Sequence, residues 1–333
     1  MGRQGTQALK TLLSVQGLRI RLPTAAGLVT VVDGIDYEVE AGQVFGIAGE
    51  SGSGKTISVL ALLGLLPDGA HVEGRAMFDG RDLLQLNHRS MRDVRGVEIA
   101  MVFQDPMTSL HPMMTIERQL TEHVRYHLGV SESKARERAV ELLREVRIPD
   151  PAGALAAYPH QFSGGMRQRI AIAIALACRP RVLIADEPTT ALDVTVQAGI
   201  LHLLDSLRSQ SGLSVLMITH DLGVMSSIAD WLTVMYAGRV VESGRTGDVL
   251  GHPRHPYTAG LLAALPHPEA AEDTALRSIP GAPPSPQSRP DGCPFHPRCP
   301  YVQDSCRRDV PALASIDAGR RLACPIDPLA VAV

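Results

Sequence analysis

Gly49-Glu50-Ser51-Gly52-Ser53-Gly54-Lys55-Thr56 matches the pattern G-x-x-x-x-G-K-[ST] at every fixed position. The run before it, Gly42–Ala48, reads as a strand. The run after it, Lys55–Leu66, reads as a helix that stops at Pro67-Asp68-Gly69. A strand, a glycine-rich turn and a helix in that order aim backbone N–H groups and the positive end of a helix at one point, where an anion can sit. The glycines are needed because a Cβ would obstruct the approach of phosphate oxygens to the backbone. The pattern assigns Gly49, Ser51, Gly52, Ser53 and Gly54 to the phosphate cradle, Lys55 to the β- and γ-phosphates of a nucleoside triphosphate, and the Thr56 hydroxyl to Mg²⁺.

The chain outward from this loop supports an α/β fold. Val29–Val39, Val97–Phe103, Val182–Ala185 and Ser214–Thr219 read as further strands, and Val194–Ser209 reads as a helix between the last two. Alternation of this kind predicts a mostly parallel sheet with helices on its faces. Ile116–Leu128 and Ser131–Val146 are helical; in the second, Ala135, Ala139, Leu142 and Val146 recur at helical spacing and Ser131 can cap the start. The stretch from about 105 to 165 therefore reads as a helical subdomain inserted into the sheet core. Residues 280–300 are rich in Pro and Gly and read as a linker or loop-built module. The expected division is residues 1–250 for the core and 251–333 for an extension. No internal repeat is present.

Val182-Leu183-Ile184-Ala185-Asp186-Glu187 is an apolar strand ending in two acids. Acids at the carboxyl end of a buried strand face the ligand crevice. Asp186 can hold Mg²⁺ through water, and Glu187 can orient the attacking water. Alone the run is weak; beside the phosphate loop it is strong.

Bulk composition narrows the classes. The formal net charge is −3 and no long basic run is present, so a nucleic-acid surface is not expected. Lysine is scarce, at three (Lys10, Lys55, Lys134) of the 32 basic residues, which makes Lys55 in the glycine-rich loop notable. No apolar run reaches the ~18 residues of a membrane span, and Met1–Lys10 lacks the apolar stretch of a signal peptide. Cys178 reads as a small core residue. Cys293, Cys299, Cys306 and Cys324 crowd into a module at about 290–326 with the spacing C-x₅-C-x₆-C-x₁₇-C, which suggests metal more than disulfide in a cytosolic chain.

Phe162-Ser163-Gly164-Gly165-Met166-Arg167-Gln168-Arg169 resembles the signature sequence of ABC ATPases, with Phe162 for the usual Leu and Met166 for the usual Gln. Ser-Gly-Gly is kept, so an anion site at a helix N-terminus is kept with it. The resemblance implies a P-loop NTPase (RecA-like) core with the ABC helical subdomain and a C-terminal Cys/Pro-rich extension. It also implies that Ser163, Gly164 and Gly165 bind the γ-phosphate of ATP held by a second cassette. Gln104 resembles the Q-loop glutamine, which contacts Mg²⁺ or water, and Ala191-Leu192-Asp193 the interface D-loop. His220 resembles the switch histidine on the γ-phosphate. Glu187, His220 and Gln104 are thus the expected catalytic set, and Thr56, Gln104 and Asp186 the expected Mg²⁺ set. The adenine-stacking aromatic usual in the family is absent: Leu22 falls there, and Tyr37 falls on a later, core-facing position.

Val102–Leu110, Tyr158–Phe162, His255–Thr258 and Gly292–Pro300 look like the ATPases of oligopeptide/dipeptide permeases. That resemblance, over about residues 12–326, implies an ATP-hydrolysing subunit of an importer of peptides or related small solutes, at the cytoplasmic face of the membrane. Its implied partners are a second ATPase subunit, of a different chain or the same one, two transmembrane permease subunits and an extracytoplasmic substrate-binding protein. It also supports a [4Fe–4S] cluster on the four cysteines; structural zinc and metal-free thiols are the alternatives. DNA-repair and chromosome ATPases insert a long coiled coil between these motifs, whereas only about 130 residues separate Lys55 from Asp186. A ribosome-associated relative would carry two cassettes, and an iron–sulfur regulator with ATP as a structural ligand would not need both Glu187 and His220.

Overall fold

The computed structural model describes residues 11–25, 27–105, 109–190, 192–265, 278–317 and 319–327. Pro106, Met107 and Thr108 of the quoted permease-like stretch, and Ala191 of the D-loop, lie outside these residues.

In chain order the strands are β1 (Thr11–Thr24), β2 (Gly27–Glu40), β3 (Val44–Ala48), β4 (His71–Phe78), β5 (Arg81–Asp82), β6 (Ile99–Val102), β7 (Val182–Asp186), β8 (Ser214–Thr219), β9 (Trp231–Tyr236), β10 (Arg239–Arg245), β11 (Ala314–Asp317) and β12 (Arg320–Leu322). The α-helices are α1 (Lys55–Leu62), α2 (His88–Val94), α3 (Ile116–Leu128), α4 (Glu132–Glu145), α5 (Pro151–Ala154), α6 (Gly164–Ala175), α7 (Val194–Ser211), α8 (Leu222–Ile228), α9 (Thr246–Gly251), α10 (Pro256–Ala263) and α11 (Asp304–Arg308).

Two sheets result. β2-β1-β4-β5 form an antiparallel sheet. The central sheet has the order β11-β12-β10-β9-β3-β8-β7-β6; β9, β3, β8, β7 and β6 are parallel, and β10, β12 and β11 continue antiparallel. The strands of the parallel part are buried on both faces, as such sheets require. Val44 and Ala48 of β3, Leu183 and Ala185 of β7, and Val215 and Met217 of β8 join one core, shared with helices α3, α4, α6 and α7. Their alternates Phe45, Ile47, Val182, Ile184, Leu216 and Ile218 join a second core against the antiparallel sheet and α1. Tyr37 is buried there, stacked on Phe45, as the sequence predicts; Leu22 is half-buried.

The helices between β6 and β7 begin as the sequence dictates. Thr115 and Ser131 cap α3 and α4 by accepting from the N–H groups of Arg118 and Lys134. α3 ends at Gly129 in the left-handed conformation. α1 is shorter than predicted, ending at Leu62 rather than Leu66. Gly64 adopts φ +58°, the Leu65 N–H donates to Leu60 O and the Gly64 N–H to Ala61 O, a Schellman closure that an apolar reading of Leu63–Leu66 conceals.

The tail joins the core sheet, for which the sequence reading had no strand. Leu322 of β12 pairs with Glu242 of β10. Buried Glu242 accepts from the Arg320 guanidinium at 2.6 Å and from the backbone N–H groups of Arg254 and His255 at 2.9 and 3.0 Å.

His255 precedes α10, and its Nδ1 accepts from the Tyr257 N–H at 3.1 Å. Burial holds its pKa far below the ordinary 6.5, at about 3. The unfolded chain takes up this proton as pH falls through 6.5, and the folded chain does not until about 3. The stability this neutral histidine carries is complete above pH 6.5 and is lost toward pH 3 at about 1.4 kcal/mol per pH unit. His255→Asn keeps a capping acceptor without the proton. Urea titrations across that window should show its stability falling less steeply with acid than that of the wild type, by one proton.

Candidate active site

The parallel strands all end at one edge, and the predicted residues arrive there from four of them. The loop Gly49–Gly54 leaves β3 and opens α1; Gln104 follows β6; Asp186 and Glu187 end β7; His220 follows β8. Together Glu50–Ile57, Gln104, Glu187, Thr190, His220 and Leu261 line an open cleft of about 600 Å³. The loop depends on glycine where its backbone approaches another strand. Gly49 has φ +147°, and a Cβ there would lie 2.2 Å from the carbonyl oxygen of Met235. Gly54, at φ +98°, is the residue before α1, so no side chain caps the helix and its N–H groups stay free for an anion. Ser53 is buried and its hydroxyl has no partner among the described residues, as fits a group that bonds a phosphate oxygen.

Lys55 is buried and its ammonium donates back to the carbonyls of Gly49 and Glu50 at 2.7 and 3.0 Å. Burial lowers its pKa, opposed by the charges of Glu187, Asp186 and Glu50. Thr56 Oγ1 donates to Asp186 Oδ1 at 3.1 Å, which brings two of the three Mg²⁺ candidates into contact; the third, Gln104, donates to Glu187 instead. Burial raises the pKa of Asp186, partly offset by that hydrogen bond. A hydroxyl and one carboxylate suit Mg²⁺, which takes few protein ligands and completes its shell with substrate phosphates and water.

Glu187 is the junction. Its backbone stands at φ +47°, a costly conformation for a non-glycine residue, and its N–H donates to Ile218 O at 2.8 Å. One carboxylate oxygen accepts from Gln104 Nε2 and from Thr190 Oγ1, both at 2.9 Å; the other lies 3.1 Å from His220 Nδ1. Burial alone would raise its pKa. The hydrogen bonds of His220 and Thr190, with the charge of Lys55, outweigh burial and hold it below the ordinary value, so it stays anionic and able to accept a proton. Thr190 was not singled out from the sequence, although it stands three residues after Glu187.

Ser163, Gly164, Gly165 and Asp193 do not line this cleft. Ser163 caps α6 by accepting from the Met166 N–H. Gly165 is required by packing, since a Cβ there would lie 2.4 Å from Val196 Cγ1 of α7. Asp193 caps α7 by accepting from the Val196 N–H at 2.9 Å. Ser163, Gly164 and Asp193 are exposed.

Cys293, Cys299, Cys306 and Cys324 line one small pocket with Pro256, Phe295, Pro311 and Ile326 among its walls. Burial raises the thiol pKa of Cys293 to about 11, and the neighbouring cysteines add to the shift. Among the described residues no group of three or more His, Cys, Asp or Glu could hold a metal ion as it stands. The four cysteines share that pocket without forming such a group.

Known proteins give the same picture. Residues 32–190 match the ABC transporter family, and residues 241–306 match the C-terminal region of oligopeptide/dipeptide transporters. The chain is 46% identical over 328 residues to the oligopeptide transport ATP-binding protein OppD of Salmonella typhimurium, covering 98% of this chain and 97% of that one. It is 48% identical over 320 residues to the dipeptide transport ATP-binding protein DppD of Escherichia coli, covering 95% and 97%. Among solved structures, a dimeric ATP-binding cassette in a post-hydrolysis state with ADP and Pi bound superposes with a TM-score of 0.63 at 25% identity, covering 70% of this chain and 98% of that one. The fold and site define an ABC-type ATPase. Within that class the chain belongs to the family of oligopeptide/dipeptide transporter ATP-binding subunits.

The hydroxyl of Thr190 is one of the three side-chain groups that fix Glu187. Thr190→Val preserves shape and removes one hydrogen bond to a charged group. Steady-state kinetics should show kcat for ATP falling roughly tenfold with KM nearly unchanged.

Proposed function

We propose that this chain energises import of di- or oligopeptides, or of chemically related small solutes, as one of two ATPase subunits on the cytoplasmic side of a membrane transporter. The observation that carries this reading is the division of the site. One cleft gathers the loop Glu50–Thr56, Gln104, Glu187 and His220, while the turn Ser163–Gly165 is no part of it and exposes Ser163 and Gly164. A nucleotide bound at Lys55 is therefore contacted by the Ser-Gly-Gly turn of another cassette, and two nucleotides are sandwiched head to tail.

The chain's own groups then have separable tasks. Lys55, the loop amides and Ser53 bind and orient the triphosphate. Thr56 and Asp186, with Gln104, would hold Mg²⁺, whose charge offsets that of the phosphates. Glu187 accepts a proton from the attacking water, and His220 steadies that carboxylate beside the γ-phosphate position. Removal of the γ-phosphate by hydrolysis removes the bridge between cassettes, and the pair reopens. The apolar groove between α6 and β6, lined by Leu63, Leu65, Val102, Phe103 and Ala171, suits a helix of a permease subunit. The peptide cargo rests on what OppD and DppD are named for; a second, different ATPase chain, two permease subunits and a substrate-binding protein complete the proposed assembly.

The proposed resident of the cysteine pocket is a [4Fe–4S] cluster held by Cys293, Cys299, Cys306 and Cys324, with structural zinc as the alternative. Four sulfurs around one largely apolar pocket support it, since thiolates in an insulated site are the usual ligands of such clusters. When bound, the cluster would supply positive charge that offsets the thiolates and a redox-sensitive crosslink between loop segments.

Glu187→Gln in the complete assembly should retain ATP binding and lose at least ~100-fold in turnover, measured by phosphate release; near-normal hydrolysis refutes the role of Glu187. Protein purified without oxygen should be brown and carry iron, and Cys299→Ser should reduce both; colourless, iron-free protein sinks the cluster.

A further inference from the structure

Glu50 is an unusual neighbour for a triphosphate. It adds a negative charge to the loop that must bind an anion, close enough to act on the charge of Lys55. Left free, such a carboxylate would repel phosphate oxygens and compete for Lys55.

It is not left free. Arg298, which directly precedes Cys299, reaches across 248 positions of sequence and grips Glu50 with both ends of its guanidinium: Nη1 donates to Oε2 at 2.7 Å and Nη2 to Oε1 at 3.0 Å. The same guanidinium is anchored on its far side, where Nε donates to Pro280 O at 2.9 Å and Nη1 to the Tyr236 hydroxyl at 3.3 Å. It lies over the Tyr236 ring, 5.8 Å from its centre. The Arg298 side chain is only 5% exposed and that of Glu50 27%, so this is a largely desolvated, two-pronged pair whose geometry is specific to arginine.

The backbone of Glu50 is held from the same quarter. Its N–H donates to the Tyr257 hydroxyl at 2.8 Å, and its carbonyl is one of the two acceptors of Lys55. Tyr236, Tyr257 and Phe295 pack with ring centres 4.6 to 5.4 Å apart. They form one aromatic block between β9, α10 and the cysteine pocket, to which Phe295 itself contributes a wall. The segment that carries the cysteines and the loop that carries Lys55 are thus joined through one ion pair and one rigid block.

We propose that Arg298 is a positioning residue of the nucleotide site: it neutralises Glu50 inside the phosphate loop and fixes the loop's shape, so that ATP affinity depends on the four-cysteine module being folded around it. This rests on the assignment of the Gly49–Thr56 loop to ATP. It goes beyond that assignment by giving the C-terminal module a task in the ATPase itself, whatever occupies the cysteine pocket.

The test is a double-mutant cycle on the full chain, read as the dissociation constant for Mg-ATP by displacement of a fluorescent ATP analogue, with thermal unfolding alongside. Arg298→Met should weaken ATP binding about tenfold, because Glu50 is left charged and loose. In a Glu50→Gln background, Arg298→Met should cost no more than about threefold. A merely structural arginine would not be rescued by removing the charge of Glu50. Arg298→Lys keeps the charge without the two-pronged grip. If the Met variant does not fold, Arg298→Lys carries the same cycle, with a loss of about threefold that disappears in the Glu50→Gln background. Unchanged affinity in the folded Arg298 variant, or a loss that Glu50→Gln leaves in place, overturns the proposal. Wild-type protein that binds no Mg-ATP refutes the site assignment instead.

Discussion

The carboxylate of Glu187 is where distant parts of the sequence are forced to agree. Gln104 reaches it from the end of β6, Thr190 from the following turn and His220 from the end of β8, while its own N–H is tied to Ile218. These bonds exist only if β6, β7 and β8 lie side by side in parallel register. The left-handed backbone at Glu187 is tolerated because that surrounding framework over-determines it. These pieces line one cleft, and Lys55 and Thr56 line it with them.

The same sheet explains why the site is divided. One face is buried by α3, α4, α6 and α7; the other by the antiparallel sheet and α1. Phosphate-binding groups at the strand ends point into the cleft, whereas the start of α6 is held by the packing of Gly165 against Val196 and presents Ser163 to solvent. The start of that helix lies outside the cleft, which is the ground for the proposed partner cassette. The tail, in turn, is fastened to the core at several places, among them the buried pair Arg320–Glu242 at the sheet edge and Arg298–Glu50 at the Gly49–Thr56 loop.

Much of this was legible in the sequence, for identifiable reasons. The loop Gly49–Thr56, the acids ending β7 and the helix over Ile116–Leu128 are local patterns, in which spacing alone states the chemistry or the period. The predicted helix after Lys55 ran four residues too long because Leu63, Leu65 and Leu66 continue an apolar pattern through a glycine turn that ends it. β9, β10 and the short tail strands carried weaker signals: β12 is Arg-Arg-Leu, and its pairing with β10 spans some 80 residues. Thr190, Arg298 and Tyr257 went unread because their roles arise from contacts that no local pattern encodes. Glu50 sits inside the most recognisable motif of the chain, yet nothing near it in sequence shows what neutralises it.

The claim that nucleotide is held jointly by two cassettes is tested most directly with ATP bearing a photoreactive group on the γ-phosphate, bound to the assembled transporter and followed by mass spectrometry of the labelled peptides. The comparison is between wild type and a Lys55→Met variant whose own phosphate loop is disabled. The account predicts that the Ser163–Gly165 segment of this chain is labelled in both, because the nucleotide it touches belongs to the partner. Label at that segment that vanishes with Lys55, or that never reaches it, would contradict the account.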